Sequence, residues 1–161
     1  MNKNLFINPK SSKEEKYIAL IPQIRSVVEG EPDITANFAN IAAALKEIFS
    51  WWWVGFYLVK EDELVLGPFQ GPIACTRIGY GKGVCGTAWK EKKSLFVPDV
   101  EAFPGHIACN AASVSEIVVP IYTGVGEVIG VLDVDSERYD VLDETDVRYL
   151  EEINKICSQF M

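Results

Sequence analysis

The sequence predicts an α+β domain, a mostly antiparallel central sheet with helices packed on it at the N- and C-terminal ends. Three observations lead to this class. Apolar residues recur at helical spacing near both ends of the chain, and β-rich runs joined by short turns fill the region between them. The chain has 161 residues, 48% of them apolar and 24% charged, which suits one hydrophobic core and excludes disorder. A single domain over residues 1–161 is expected, with residues 1–10 as a loosely ordered tail.

Ser11, Ser12, Glu14 and Glu15 form a capping-box start to the first helix. It is expected to bury Tyr17, Leu20, Ile21, Ile24 and Val28, with a bend at Pro22. Asp33 caps a second helix that carries Ile34, Phe38, Ile41, Leu45 and Ile48 on one stripe. A last helix begins at Asp143, places Glu144 and Asp146 in its positive first turn, and buries Leu150, Ile153, Cys157 and Phe160. Between them, Trp51–Lys60 and Glu63–Pro68 read as a hairpin. Leu95–Pro98, Ser115–Tyr122 and Val128–Ser136 read as further strands. The stretch from Gly67 to Ser113 is loop-rich and holds three of the four cysteines.

The formal charge of −8 argues against nucleic-acid binding and against a basic membrane patch. The acidic run from Glu137 to Glu152 reads as a solvated face. With no apolar leader in Met1 to Lys10 and no run long enough to span a bilayer, a cytoplasmic location with reduced thiols is expected. Chemistry then rests on thiols and carboxylates, because the chain has one histidine.

The turn Thr123-Gly124-Val125-Gly126 carries the most specific expectation. A two-residue turn at Gly124-Val125 places glycine where a type II′ turn requires it. That register sets Glu116 directly opposite Asp133, with Asp135 two residues on along the same face. Opposed carboxylates destabilise a hairpin, and crowded ones cannot all ionise, so one keeps its proton near neutral pH. A general acid needs that property. The alternative is a solvent-facing strand pair whose charges are merely hydrated.

Cys157 falls on the apolar stripe of the last helix and reads as core. Cys75, Cys85 and Cys109 are structural or redox groups; their clustering in loops, and His106 near Cys109, favour redox work. A zinc site of His106, Cys109, Cys75 and Cys85 lacks the usual paired spacings, and no metal is expected. Gly81-Lys82-Gly83-Val84-Cys85-Gly86 matches a dinucleotide fingerprint, but its antiparallel surroundings favour glycines turning the chain into a short helix at Thr87–Lys90. Trp51, Trp52 and Trp53 are expected to alternate across a strand, one in the core and others free to wall a pocket.

Gly67-Pro-Phe-Gln-Gly-Pro-Ile-Ala-Cys75, Gly81-Lys-Gly-Val-Cys-Gly-Thr-Ala-Trp89, Phe103-Pro-Gly-His-Ile-Ala-Cys109, Ser113-Val-Ser-Glu-Ile-Val-Val-Pro120 and Gly130-Val-Leu-Asp-Val-Asp-Ser136 resemble free methionine-(R)-sulfoxide reductases, which are GAF-domain enzymes. The similarity runs from about Trp53 to Phe160. It implies a GAF-like fold and a thiol mechanism in which Cys109 attacks the sulfoxide sulfur and becomes a sulfenic acid. Cys75 resembles the resolving thiol, and Cys85 an additional thiol able to relay oxidation. Whether Cys75 or Cys85 pairs with Cys109 stays open. Glu116 resembles the acid that protonates the sulfoxide oxygen, with Asp133 and Asp135 holding its network. Trp53 resembles the residue packing on the substrate methyl, and Tyr57 lines the pocket beside it. The resemblance further implies thioredoxin as external reductant, no bound cofactor, and a homodimer. Asn110 departs from the Asp common in the family at the position after the nucleophile. A non-catalytic GAF sensor of a cyclic nucleotide or similar small molecule, or a thiol redox sensor, are the rival readings.

Overall fold

In the computed structural model, which describes residues 4–109 and 111–161, local signals decide where the helices start. Ser12 caps α1 (Lys13–Val28) through a capping box with Glu15, and Asp33 caps α2 (Ile34–Phe49) through the Ala36 N–H. Asp143 caps α4 (Glu144–Cys157), again in a capping box, with Asp146 as its partner. The short helix α3 (Gly83–Glu91) begins four residues earlier than the sequence predicts.

Six antiparallel strands form one sheet in the order β3-β2-β1-β6-β5-β4. They are β1 (Trp53–Lys60), β2 (Glu63–Gln70), β3 (Arg77–Gly79), β4 (Leu95–Val97), β5 (Ser115–Tyr122) and β6 (Val128–Ser136). Both edge strands are only three residues long, which leaves little unpaired edge for another chain to join.

Period-2 alternation gives the sheet two unlike faces. Val54, Phe56, Ile117, Val119, Ile121, Leu132 and Val134 point toward α1, α2 and α4 and complete the larger core. Trp53, Tyr57, Val118 and Val131 point the other way and pack with Cys85 and Ala88 of α3. Cys157 is fully buried in the larger core, as its stripe predicts.

Four expectations need correction. The tryptophans do not alternate, because β1 begins only at Trp53. Ser50 sits in the left-handed region at φ 56°, and Lys46 donates to the carbonyls of Trp51 and Trp52. Trp51 therefore stacks on Phe49 in the helix-side core, whereas Trp52 and Trp53 both lie on the α3 side. Residues 4–10 are not a loose tail: Leu5 and Ile7 pack on the larger core, and the Phe6 N–H donates to Gln23 Oε1 at 2.8 Å.

The β5–β6 register is the third. Gly126 N–H donates to the Thr123 carbonyl at 3.0 Å, Thr123 N–H donates to the Glu127 carbonyl at 2.8 Å, and Gly126 has φ 82°. That is a longer turn closed by a glycine bulge. A second irregularity follows between Ile121 and Tyr122. Each slides the pairing by one residue, so Glu116 faces Asp135 and Val118 faces Asp133. A slip of two preserves strand parity, which keeps all three carboxyls on one face.

The acidic run is the fourth, because it is not all solvated. Asp146 is completely buried, accepting from Tyr17 Oη at 2.6 Å, Lys13 Nζ at 2.6 Å and the Asp143 N–H at 2.9 Å. It ties α1 to α4. Removing one partner of such a buried group strands the others, so Asp146→Ala is predicted to cost on the order of 3 kcal/mol in urea unfolding. Glu137→Ala, at an exposed position of the same run, should stay within about 0.5 kcal/mol. Equal effects would place the acidic run back on the surface as one solvated face.

Candidate active site

Seven of the eight predicted site residues line one pocket, on the face of the sheet opposite the three long helices, and the eighth, Cys75, is bonded to one of them. Trp53 and Tyr57 come from β1, Glu116 from β5, Asp133 and Asp135 from β6, and Cys85 from α3. Cys109 comes from the loop between β4 and β5. Cys75, from the loop between β2 and β3, is joined to it by a disulfide, with the two Cα atoms 5.4 Å apart. Of the two partners the sequence leaves open for Cys109, the structure has Cys75; Cys85 stays a free buried thiol in the pocket wall. The pocket encloses about 580 Å³, counting the space open to solvent at its mouth. Asn110 lies outside the described residues.

Neighbouring strands explain how the carboxyls meet. β6 lies between β1 and β5, so Asp135 has Trp53 across one ladder and Glu116 across the other. Gly55 faces Asp133 and puts no side chain beside it, while Trp53 stacks on Phe69 with ring centroids 5.3 Å apart. Gly86 brings α3 up to β3: a Cβ there would stand 2.4 Å from the Gly79 carbonyl oxygen. That close approach seats the neighbouring Cys85 over the carboxyls, its Sγ 3.9 Å from Glu116 Oε1.

The electrostatics follow from burial. Glu116 is 6% exposed and Asp133 also 6%. Burial, with the Asp135 charge beside them, pushes both carboxyls well above the usual carboxylate range. With both pushed up side by side, the pair keeps a proton near neutral pH. Burial raises Asp135 to about 6, against the opposing pull of the Ser113 hydroxyl, which donates to it at 2.6 Å, and of His106. His106 Nε2 stands 3.5 Å from Glu116 Oε2. Burial and the nearby Asp133 and Glu116 carboxylates also push the Cys85 thiol up, so it stays protonated at neutral pH. The arrangement can give a proton to a bound acceptor and can receive a cation.

The aromatic residues do more than line the wall. Tyr57 Oη donates to the Cys75 carbonyl at 2.8 Å, and Trp53 Nε1 donates to the Pro72 carbonyl at 3.1 Å. Both hold the loop that carries Cys75. The sequence assigns no pocket role to Ser113 or specifically to Trp52, and offers His106 only as a neighbour of Cys109 and as a member of the disfavoured zinc set. Trp52 lines the pocket, and its buried Nε1 has no hydrogen-bond partner among the described residues. The three-tryptophan run was the available signal for Trp52; Ser113 carried none, because a single loop serine has no pattern.

Crowded protons have a stability consequence with a definite sign. A carboxyl raised in the folded state binds protons that the unfolded chain has released, so stability falls as pH rises from about 4 through 6. Asp135→Asn is predicted to leave stability at pH 4 nearly unchanged and to raise it at pH 7 by about 1–3 kcal/mol in chemical denaturation. A gain of the same size at both pH values would mean that Asp135 is not raised.

A GAF domain profile matches residues 31–161. GAF domain-containing protein A of Dictyostelium discoideum is 61% identical over 148 residues, 91% of this chain and 93% of that protein. The free methionine-R-sulfoxide reductase of Escherichia coli is 46% identical over 143 residues, 86% of each chain. The X-ray structure of the Neisseria meningitidis free methionine-R-sulfoxide reductase in complex with its substrate superposes with a TM-score of 0.95 at 53% identity, covering 99% of this chain and 95% of that one. The fold is the GAF fold, and the chain belongs to the free methionine-R-sulfoxide reductase family of GAF-domain proteins.

Proposed function

We propose that the protein is an oxidoreductase that reduces free L-methionine-(R)-sulfoxide to L-methionine. The observation that carries this reading is a Cys75–Cys109 disulfide at a pocket whose carboxyls hold a proton. The close relatives named for that activity support the substrate.

The steps balance as follows. The Cys109 sulfur attacks the sulfoxide sulfur while Glu116 delivers a proton to the sulfoxide oxygen, a poor leaving group until protonated. The protonated oxygen passes from the substrate sulfur to the Cys109 sulfur as the substrate S–O bond and the bond between the two sulfurs break, which releases methionine and leaves Cys109 as a sulfenic acid. The Cys75 thiol then displaces that oxygen as water and forms the disulfide. A dithiol reductant restores both thiols by exchange and is itself oxidised to a disulfide.

The remaining roles divide by chemistry. Asp133 and Asp135 hold Glu116 in its hydrogen-bonded network and offer negative charge to the ammonium group of a free amino acid. Trp53 presents an apolar ring to the substrate methyl, with Tyr57 beside it. Excess anionic charge disfavours a Cys109 thiolate, so arrival of the cationic substrate assists the attack. Cys85 stands in reserve as a further thiol for relaying oxidation. Thioredoxin as reductant, the absence of a bound cofactor, a homodimeric assembly and a cytoplasmic setting belong to the same proposal and rest on the family resemblance. Among the described residues no helix is long and apolar enough to cross a membrane.

An assay of NADPH consumption with thioredoxin, its reductase and free methionine-R-sulfoxide tests the reading. Wild type turns over, and Cys109→Ser falls to background. Cys75→Ser produces methionine stoichiometrically and then stalls. Glu116→Gln loses roughly 10²–10⁴ in rate, the range for a general acid. Cys157→Ser, in the core, keeps most of its activity. No turnover by pre-reduced wild type would overturn the function, and equal losses in Glu116→Gln and Cys157→Ser would overturn the role of Glu116.

A further inference from the structure

Three side chains of metal-ligating type meet in the pocket from elements far apart in the sequence, and a fourth, His106, stands beside one of them. Ligand atoms of Cys85, Glu116 and Asp133 lie within 4.8 Å of one another, and all three residues are buried. Cys85 Sγ is 3.9 Å from Glu116 Oε1, and His106 Nε2 is 3.5 Å from Oε2 of the same carboxylate. Tetrahedral zinc with bonds of about 2.0–2.3 Å spaces its ligands roughly 3.3–3.5 Å apart, so shifts of roughly 1–1.5 Å bring Cys85, Glu116 and Asp133 to ligand spacing, whereas His106, beside the other Glu116 oxygen, must turn inward to join them. Independently, Asp133 Oδ1 is buried with no hydrogen-bond partner among the described residues. An acceptor left bare in a buried acidic site needs a proton or a cation.

We propose that Cys85, Glu116 and Asp133 form a zinc-binding site within this pocket, with His106 turning in from beside Glu116 as the fourth ligand. A thiolate and an imidazole beside two carboxylates select a borderline-soft ion over magnesium or calcium. Binding displaces the protons the cluster otherwise holds, Cys85 giving up its thiol proton to the solvent. Because Cys85 is outside the disulfide, closing the Cys75–Cys109 bond does not consume a ligand. Zinc occupying it ties up Glu116 and fills the space around it, so the metal inhibits; that consequence, unlike the binding, rests on the proposed function.

Cobalt(II) is the probe, added to protein with the Cys75–Cys109 disulfide closed so that neither of those thiols is available. Cys157 is sealed in the core. Binding is expected at one ion per chain, with the intense ligand-field spectrum of a tetrahedral site and a thiolate-to-cobalt charge-transfer band. Zinc bleaches both. Cys85→Ser loses the charge-transfer band, and Asp133→Asn weakens zinc binding by roughly 10-fold or more. A wild-type protein without the charge-transfer band overturns the site, and so does a band that survives in Cys85→Ser. If the band forms but zinc leaves turnover of the reduced enzyme unchanged, the inhibitory consequence is overturned. If the band forms in a protein that shows no turnover at all, the metal site stands and the proposed function falls.

Discussion

The structure is organised around one electrostatic constraint: three carboxyls share a buried face where they cannot all be charged. Glu116 and Asp135 face each other across the β5–β6 ladder, with Asp133 one pleat away. Such a grouping destabilises a sheet, and the rest of the fold is consistent with containing it. The opposite face of the same strands is mainly apolar and covered by three helices, and its hydrophobic burial helps offset a costly polar site. The site face is closed by a single short helix and two loops, so it remains accessible to small molecules.

That constraint also orders the chemistry. Burial keeps a proton in the cluster near neutral pH, and the same field keeps the Cys85 thiol protonated. One environment thus favours an acid and disfavours a thiolate in the same wall. The disulfide pair sits on loops instead, and is held from below by Tyr57 and Trp53 through backbone carbonyls. The residues expected to touch substrate are therefore the residues that anchor the Cys75 loop, which links occupancy of the pocket to the position of the resolving thiol.

Much of this was legible in the sequence because it depends on local rules. Ser12, Asp33 and Asp143 marked the helix starts, and β5 and β6 were bounded by their β-rich runs. The common face of Asp133 and Asp135 followed from period 2, and Glu116 stayed on it because the two one-residue slips together restore the parity that the expected turn assumed. The pairing partner did not, because bulges are set by backbone geometry at Gly126 and near Ile121, not by hydrophobic pattern. Asp146 looked like surface because its partners Tyr17 and Lys13 are more than a hundred residues away. Spacing alone did not show the convergence of Cys85, Glu116 and Asp133, because each comes from a different element; only the family resemblance grouped them in one site.

The central claim is that the buried carboxyl cluster holds a proton at neutral pH. Infrared difference spectroscopy of the carboxyl C=O stretch, titrated from pH 4 to 9 and assigned with Glu116→Gln and Asp133→Asn, measures it directly. A protonated-carboxyl band that persists at pH 7 and is lost or altered in either variant is predicted. Complete ionisation below pH 5, with no such band at neutral pH, would contradict the account.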